Sequence, residues 1–147
     1  KERYELFKER IFLAVPHNSP YASEESVRLQ DFAHEDFISL SGSRSIRTIC
    51  DRYCMQAGFV PHIIYESDSP DTVKNLIASG LGVGFWPHYT WGMDSMEQIR
   101  LLPIAEPTCQ RAIILQLHRH ARGQEAVCSF YAFLSRYLRQ LKAAEQH

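Results

Sequence analysis

No excess of positive charge is available to hold a polyanion: 16 Lys+Arg stand against 17 Asp+Glu, a formal net charge of -1. Counterion release onto a basic surface requires that excess, so these residues are not expected to contact DNA themselves. Long apolar runs are also missing. The longest, such as Ala112 to Leu115 and Leu81 to Trp86, fall far short of the roughly 20 residues of a membrane span, so no membrane partner is expected. Cysteine is sparse. Cys50, Cys54, Cys109 and Cys128 form neither a CxxC pair nor the even framework of small secreted domains, which points to reduced thiols in the cytoplasm. The opening Lys1-Glu2-Arg3-Tyr4-Glu5 carries no basic-plus-apolar leader and no initiator Met, and is read as the start of a fragment.

Signatures of chemistry are equally scarce. There is no Gly-x-Ser-x-Gly elbow, and no Cys/His or Ser/His/Asp order stands out, so an enzyme is not expected. His118-x-His120 with His88 or His62 lacks the short ligand spacings of structural zinc sites, and neither metal nor cofactor is expected. Gly80-Leu81-Gly82-Val83-Gly84 is rich in glycine but precedes a strand, whereas a dinucleotide cradle follows one; a structural turn is the better reading. Cys50 and Cys54 lie one helical turn apart on an apolar stripe. Small buried thiols explain them more readily than a redox switch.

What the chain does contain is a full set of α/β elements. With 45% hydrophobic residues it has enough for one core. Ile11 to Val15 reads as a strand closed by Pro16, and Val27 to Glu35 as a short helix. Phe37 to Leu40 is a second strand, and Ser41-Gly42-Ser43 a flexible turn. Ile46, Ile49, Cys50, Tyr53, Cys54 and Ala57 then mark one helical face, ended by Gly58. Ile63 to Tyr65 is a third strand. Ser69-Pro70-Asp71 supplies a cap, a first-turn proline and an acid for a helix through Ser79. A tight turn into a glycine-containing strand over Gly80 to Pro87, further strands at Ile99 to Ile104 and Ala112 to Leu117, and a final amphipathic helix over Phe130 to Leu141 complete the pattern. Strand, helix, strand predicts parallel pairing.

The segment Ser39 to Arg47 is the most informative locally. A strand end runs into three serines and two arginines at a helix start, where free amides and the helix dipole suit an anion. The same donors suit a plain cap formed by Ser43 or Ser45, with Arg44 and Arg47 in solvent, and spacing does not separate the two readings.

Several weak motifs in order resemble the effector-binding domain of LysR-type transcription regulators. They are Leu13-Ala14-Val15-Pro16 with Ser19-Pro20-Tyr21-Ala22; Val27-x-Leu29-x-Asp31-Phe32 with Asp36-Phe37-Ile38; Arg47 with Asp51; and Gly58-Phe59-Val60-Pro61. The strongest is Val73-x-x-Leu76-Ile77-Ala78-x-Gly80-Leu81-Gly82-Val83-Gly84-x-x-Pro87. The resemblance implies a mixed α/β fold like that of type 2 periplasmic binding proteins, with two subdomains joined by crossing strands and a ligand cleft between them. It implies that residues 1–14 are the first crossing strand and a remnant of subdomain I, that 15–109 are subdomain II, and that 110–147 return to subdomain I. The crossings would fall near Phe12 to Pro16 and near Cys109 to Ile114. Site positions carried over are Val15, Pro16, Ser39, Leu40, Ser41, Gly42, Ser43, Arg44 and Phe85, with serine hydroxyls on a carboxylate effector and Phe85 as an apolar wall. Homodimers or tetramers form through such domains, and DNA is bound only by an N-terminal winged helix-turn-helix that these residues do not include. A solute-binding protein, or a small enzyme on the same fold, are the alternatives.

Overall fold

The computed structural model describes residues 2–41, 45–92, 96–118, 120 and 123–145. The chain forms two compact units, one of Glu9–Arg111 and the other of Lys1–Lys8 with Ala112–His147.

In the larger unit, β1 (Glu2–Pro16) contributes its apolar second half as a central strand. Here it is flanked antiparallel by β5 (Gly84–Pro87), with Leu13 opposite Phe85, and by β6 (Ile99–Leu102), with Leu13 opposite Leu102. Ile11, Leu13 and Val15 pack into one apolar cluster and Ala14 into another, so both faces of the strand are covered and all four are buried rather than alternating. The strand extends well upstream of the predicted Ile11. Its first half, Glu2 to Lys8, is mostly exposed and has only Leu6 and Phe7 among charged residues and Tyr4, a run too polar and without the alternation that would mark it as a strand.

The second sheet pairs β3 (Asp36–Leu40) with β4 (His62–Ser67) in parallel, as the strand, helix, strand pattern predicts. On the other edge of β3, Val83 lies parallel to Phe37, held by Ile38 N–H to Val83 O at 2.8 Å and Val83 N–H to Asp36 O at 2.9 Å. Helix α1 (Ser45–Gln56) buries Ile46, Cys50 and Cys54 in a cluster with Phe37 and Leu40. Helix α2 (Pro70–Ala78) buries Val73 and Ile77 in a different cluster, with Ile38 and Trp86. Ser69 caps α2, its Oγ accepting from the Thr72 amide at 3.4 Å.

The glycine run has three local reasons. Gly80 has φ +86 and ends α2, where a side chain is strained. A Cβ on Gly82 would lie 2.6 Å from Asp36 O, and one on Gly84 would lie 2.7 Å from Ile38 O. The run is thus what lets residues 82–84 approach β3 closely, and the structural reading of this motif holds.

Two expected elements differ. Val27 to Glu35 is not one helix: Val27–Arg28 is a short strand, β2, followed by a 3-10 turn over Leu29–Phe32. Val27 is drawn out of a helix by pairing in parallel with Ile104. Ile99 to Ile104 is not one strand either, because Pro103, lacking an N–H, separates β6 from β7 (Ile104–Glu106) and the two pair with different partners. The four-residue helix α3 (His88–Trp91) was not foreseen.

In the smaller unit, β8 (Gln110–Leu117) pairs with β1, and α4 (Glu125–Glu145) carries Phe130, Phe133 and Tyr137 exposed. Phe133 and Tyr137 stack at 6.2 Å, as neighbours one turn apart do.

Candidate functional site

The larger unit has a pocket beside the C-terminal half of β3. From β3 the chain passes through α1 to β4 on one side, then through α2 back across to Val83 on the other. A crevice at the carboxyl end of a strand whose two neighbours are reached in opposite directions is where open α/β sheets bind ligands.

Three of the expected residues, Ser39, Leu40 and Phe85, line this pocket together. The remaining walls come from Ile38, from Ile46, Arg47 and Cys50 of α1, from Val73 of α2, and from Trp91 of α3. A neighbouring depression shares Ile38, Ser39 and Phe85 and adds Phe37, Asp51, Pro61 and Ile63. Ser39 and Phe85 therefore belong to both. The enclosed volume is about 10 Å³, room for one water and not for a metabolite.

The other expected positions are placed as follows. Val15 is fully buried in the core and Pro16 is half-buried; neither lines the pocket. Ser41 is half-buried at the end of β3, its amide already donated to Ser67 O at 3.0 Å. Gly42, Ser43 and Arg44 lie outside the described residues.

Arg47 is the best-defined polar group at the site. Its Nε donates to both carboxylate oxygens of Asp51, at 3.2 and 2.9 Å. Its Nη1 donates to Glu66 Oε1 at 2.6 Å and to Leu40 O at 3.3 Å. One guanidinium thus ties α1 to the ends of β3 and β4. Burial opposes its charge, but the hydrogen bonds it donates to Glu66 and Asp51, with the attraction of those carboxylates, outweigh that and raise its pKa, so it is cationic throughout. Sequence pairing of Arg47 with Asp51 at i, i+4 foreshadowed half of this arrangement; the link to Glu66, 19 residues on, had no local signal.

The three cysteines of this unit are buried free thiols. Burial drives Cys50 well above its ordinary range, and pushes Cys54 and Cys109 up to about 12. Trp91, absent from the expected set, reaches the pocket through α3 and packs edge-on against Trp86 at 4.8 Å. No group of three or more His, Cys, Asp or Glu among the described residues is arranged to hold a metal, and no helix among them is long and apolar enough to cross a membrane.

Comparison with known proteins matches residues 2–139 to the LysR substrate binding domain. The transcriptional dual regulator GltC of Bacillus subtilis is 27% identical over 137 residues, 93% of this chain and 46% of that protein. A hydrogen peroxide-inducible genes activator of Pectobacterium carotovorum is 28% identical over 111 residues, 75% of this chain and 37% of that protein. The chain thus spans less than half the length of these relatives. Among solved structures, the effector-binding domain of QuiR in complex with shikimate superposes with a TM-score of 0.80 at 24% identity, over 92% of this chain and 64% of that one.

Proposed function

This chain belongs to the LysR substrate-binding-domain family, and from that premise we propose that it senses a small carboxylate for a transcription regulator through the pocket at the end of β3. Residues 15–109 form the subdomain that carries this half-site, and 110–147 return to the other. The observation that carries the reading is the convergence of Ser39, Phe85, Arg47 and Trp91, from four separate elements, on one crevice at a strand end.

The chemistry divides in a simple way. Ser39 offers a hydroxyl that no described residue hydrogen-bonds, and Phe85 and Trp91 offer apolar faces. Arg47 spends its Nε and Nη1 on Asp51, Glu66 and Leu40 O, so it contributes field and position more than a free fork of donors. An effector with a single carboxylate and hydroxyls or a ring suits this balance better than a polyanion, because Asp51 and Glu66 offset the one cation. Binding acts on transcription only insofar as the effector favours one arrangement of the whole regulator over another. DNA contact and assembly into homodimers or tetramers belong to the whole regulator in the cytoplasm.

A peroxide-sensing reading is suggested by the peroxide-inducible relatives. The protonated, buried state of Cys50, Cys54 and Cys109 stands against it, since the thiolate is the reactive species.

The test is the thermal midpoint of the full-length regulator against shikimate and a panel of other small carboxylates. A ligand of the folded state raises the midpoint with dose. Ser39→Ala should weaken the response by roughly fivefold, the equivalent of about 1 kcal/mol for one neutral hydrogen bond. An effector whose affinity is unchanged in Ser39→Ala and in Phe85→Ala binds elsewhere, and the pocket is then not the site.

A further inference from the structure

A buried polar cluster lies at the place where the chain leaves the larger unit. Glu9 and Arg111 are the terminal residues of that unit on its two connections. Glu9 is wholly buried and Arg111 nearly so, at 14% side-chain exposure. Arg111 Nε donates to Glu9 Oε2 at 2.8 Å, and its Nη2 donates to Thr90 Oγ1 at 2.7 Å. Glu9 Oε1 accepts from the amides of Tyr89 at 2.8 Å and Thr90 at 2.6 Å, and from Thr90 Oγ1 at 3.0 Å. Those amides open α3, whose last residue, Trp91, is a wall of the pocket.

A second tie reaches the same connection from the opposite wall. Tyr53, on α1, donates its hydroxyl to Gln110 O at 2.7 Å and accepts from Gln110 N–H at 3.1 Å. Helix α1 supplies Ile46, Arg47 and Cys50 to the pocket. The two connections are themselves joined by Ile11 N–H to Cys109 O at 3.0 Å. Hydrogen bonds from two pocket walls therefore end on adjacent residues, 110 and 111.

We propose that Tyr53 and the Glu9–Thr90–Arg111 cluster act as positioning residues that transmit the state of the pocket walls to the two connections through which the larger unit joins the rest of the chain. A buried ion pair with three further donors is costly to desolvate and gives little net stability over an apolar packing. Its directional bonds, in contrast, hold α3 and residues 110–111 in one fixed geometry, so a displacement of either pocket wall is passed on rather than absorbed. A core of leucines at these positions would stabilise as well and transmit less. This inference rests on reading the pocket as the effector half-site, and its test uses no effector, so the two fail separately.

The test is backbone amide exchange of the intact protein at residues 9–12 and 109–112, with the pocket perturbed by Trp91→Ala. The expected result is exchange at both connections raised about tenfold, an effect that shrinks to less than about twofold when Tyr53→Phe and Thr90→Val are already present. Exchange around Ile38 should rise with Trp91→Ala in either background. Additive effects, or a Trp91→Ala effect confined to the pocket strands, overturn the proposal. Should Trp91→Ala fail to give the parent circular dichroism, Trp91→Phe serves in the same cycle, and unchanged exchange at the connections with altered exchange at Ile38 overturns the proposal equally.

Discussion

Treatment with thiol reagents separates effector sensing from redox sensing. An ordinary cysteine titrates near 8.5, so roughly 3% is thiolate at pH 7. Cys54 and Cys109, pushed up to about 12 by burial, then hold on the order of one thiolate in 10⁵, about three thousandfold less. Cys50 moves in the same direction for the same leading cause, reinforced by neighbouring Cys54. Because the thiolate is the nucleophile, alkylation and peroxide oxidation at these sites slow as well, by roughly a hundredfold once the greater nucleophilicity of a high-pKa thiolate offsets about half of the logarithmic loss, with steric shielding added to that. Cys128 is exposed and provides an internal reference within the same molecule. The assay is time-resolved alkylation of the native protein, with each site quantified by mass spectrometry from pH 7 to 9. Cys128 should label first, with the other three at least about a hundredfold slower and accelerating roughly tenfold per pH unit. Labelling of Cys50, Cys54 or Cys109 within tenfold of Cys128, or sulfenic acid at any of them under mild peroxide, refutes the argument that burial keeps them protonated and restores the redox reading.

Gly84→Ala should lower the thermal midpoint by an amount equivalent to about 1–3 kcal/mol, because the new Cβ meets Ile38 O at 2.7 Å and the Ile77 Cδ1 at 2.9 Å. Gly80→Ala meets open space and pays only for φ +86, about 1 kcal/mol, and should leave any effector response intact, whereas Gly84→Ala moves Phe85 and weakens it. Glu9→Ala leaves Arg111 buried without its carboxylate and is expected to cost about 3–5 kcal/mol in chemical denaturation; a loss below about 1 kcal/mol contradicts the burial described here. Arg47→Met should cost only about 1 kcal/mol in stability, since Asp51 and Glu66 are 39% and 46% exposed and regain water. Its larger effect should fall on effector affinity through the loosened ends of β3 and β4, and a variant with normal affinity would remove Arg47 from the site.

Local signals made much of the fold legible. The apolar stripe from Ile46 to Ala57, the cap at Ser69, the proline at 70 and the terminating glycines at 58 and 80 each act over a turn or two, and α1 and α2 form within a residue or two of where those signals put them. Elements whose state depends on a distant partner were misread. Val27 is a strand because Ile104 lies beside it, 77 positions away, and one apolar run became two strands because β1 and β2 each took a part.

The site divides in the same manner. Ser39, Leu40 and Phe85 were legible because a strand end and a glycine-flanked strand are local features that the family resemblance could carry over. Trp91 was not, because α3 is four residues long and has no periodicity to detect. Val15 is sealed in the core instead, in the apolar cluster that also holds Leu13, Phe37 and Leu102. Sequence by itself determined the α/β class, the regulator family and three residues, Ser39, Leu40 and Phe85, that the fold gathers at one pocket. Only the tertiary structure decided that Arg47 is committed to Asp51 and Glu66, that three cysteines are protonated, and that Glu9 meets Arg111 across 102 positions. Those are consequences of burial and of partners brought together by folding, and neither is encoded in the spacing of neighbouring residues.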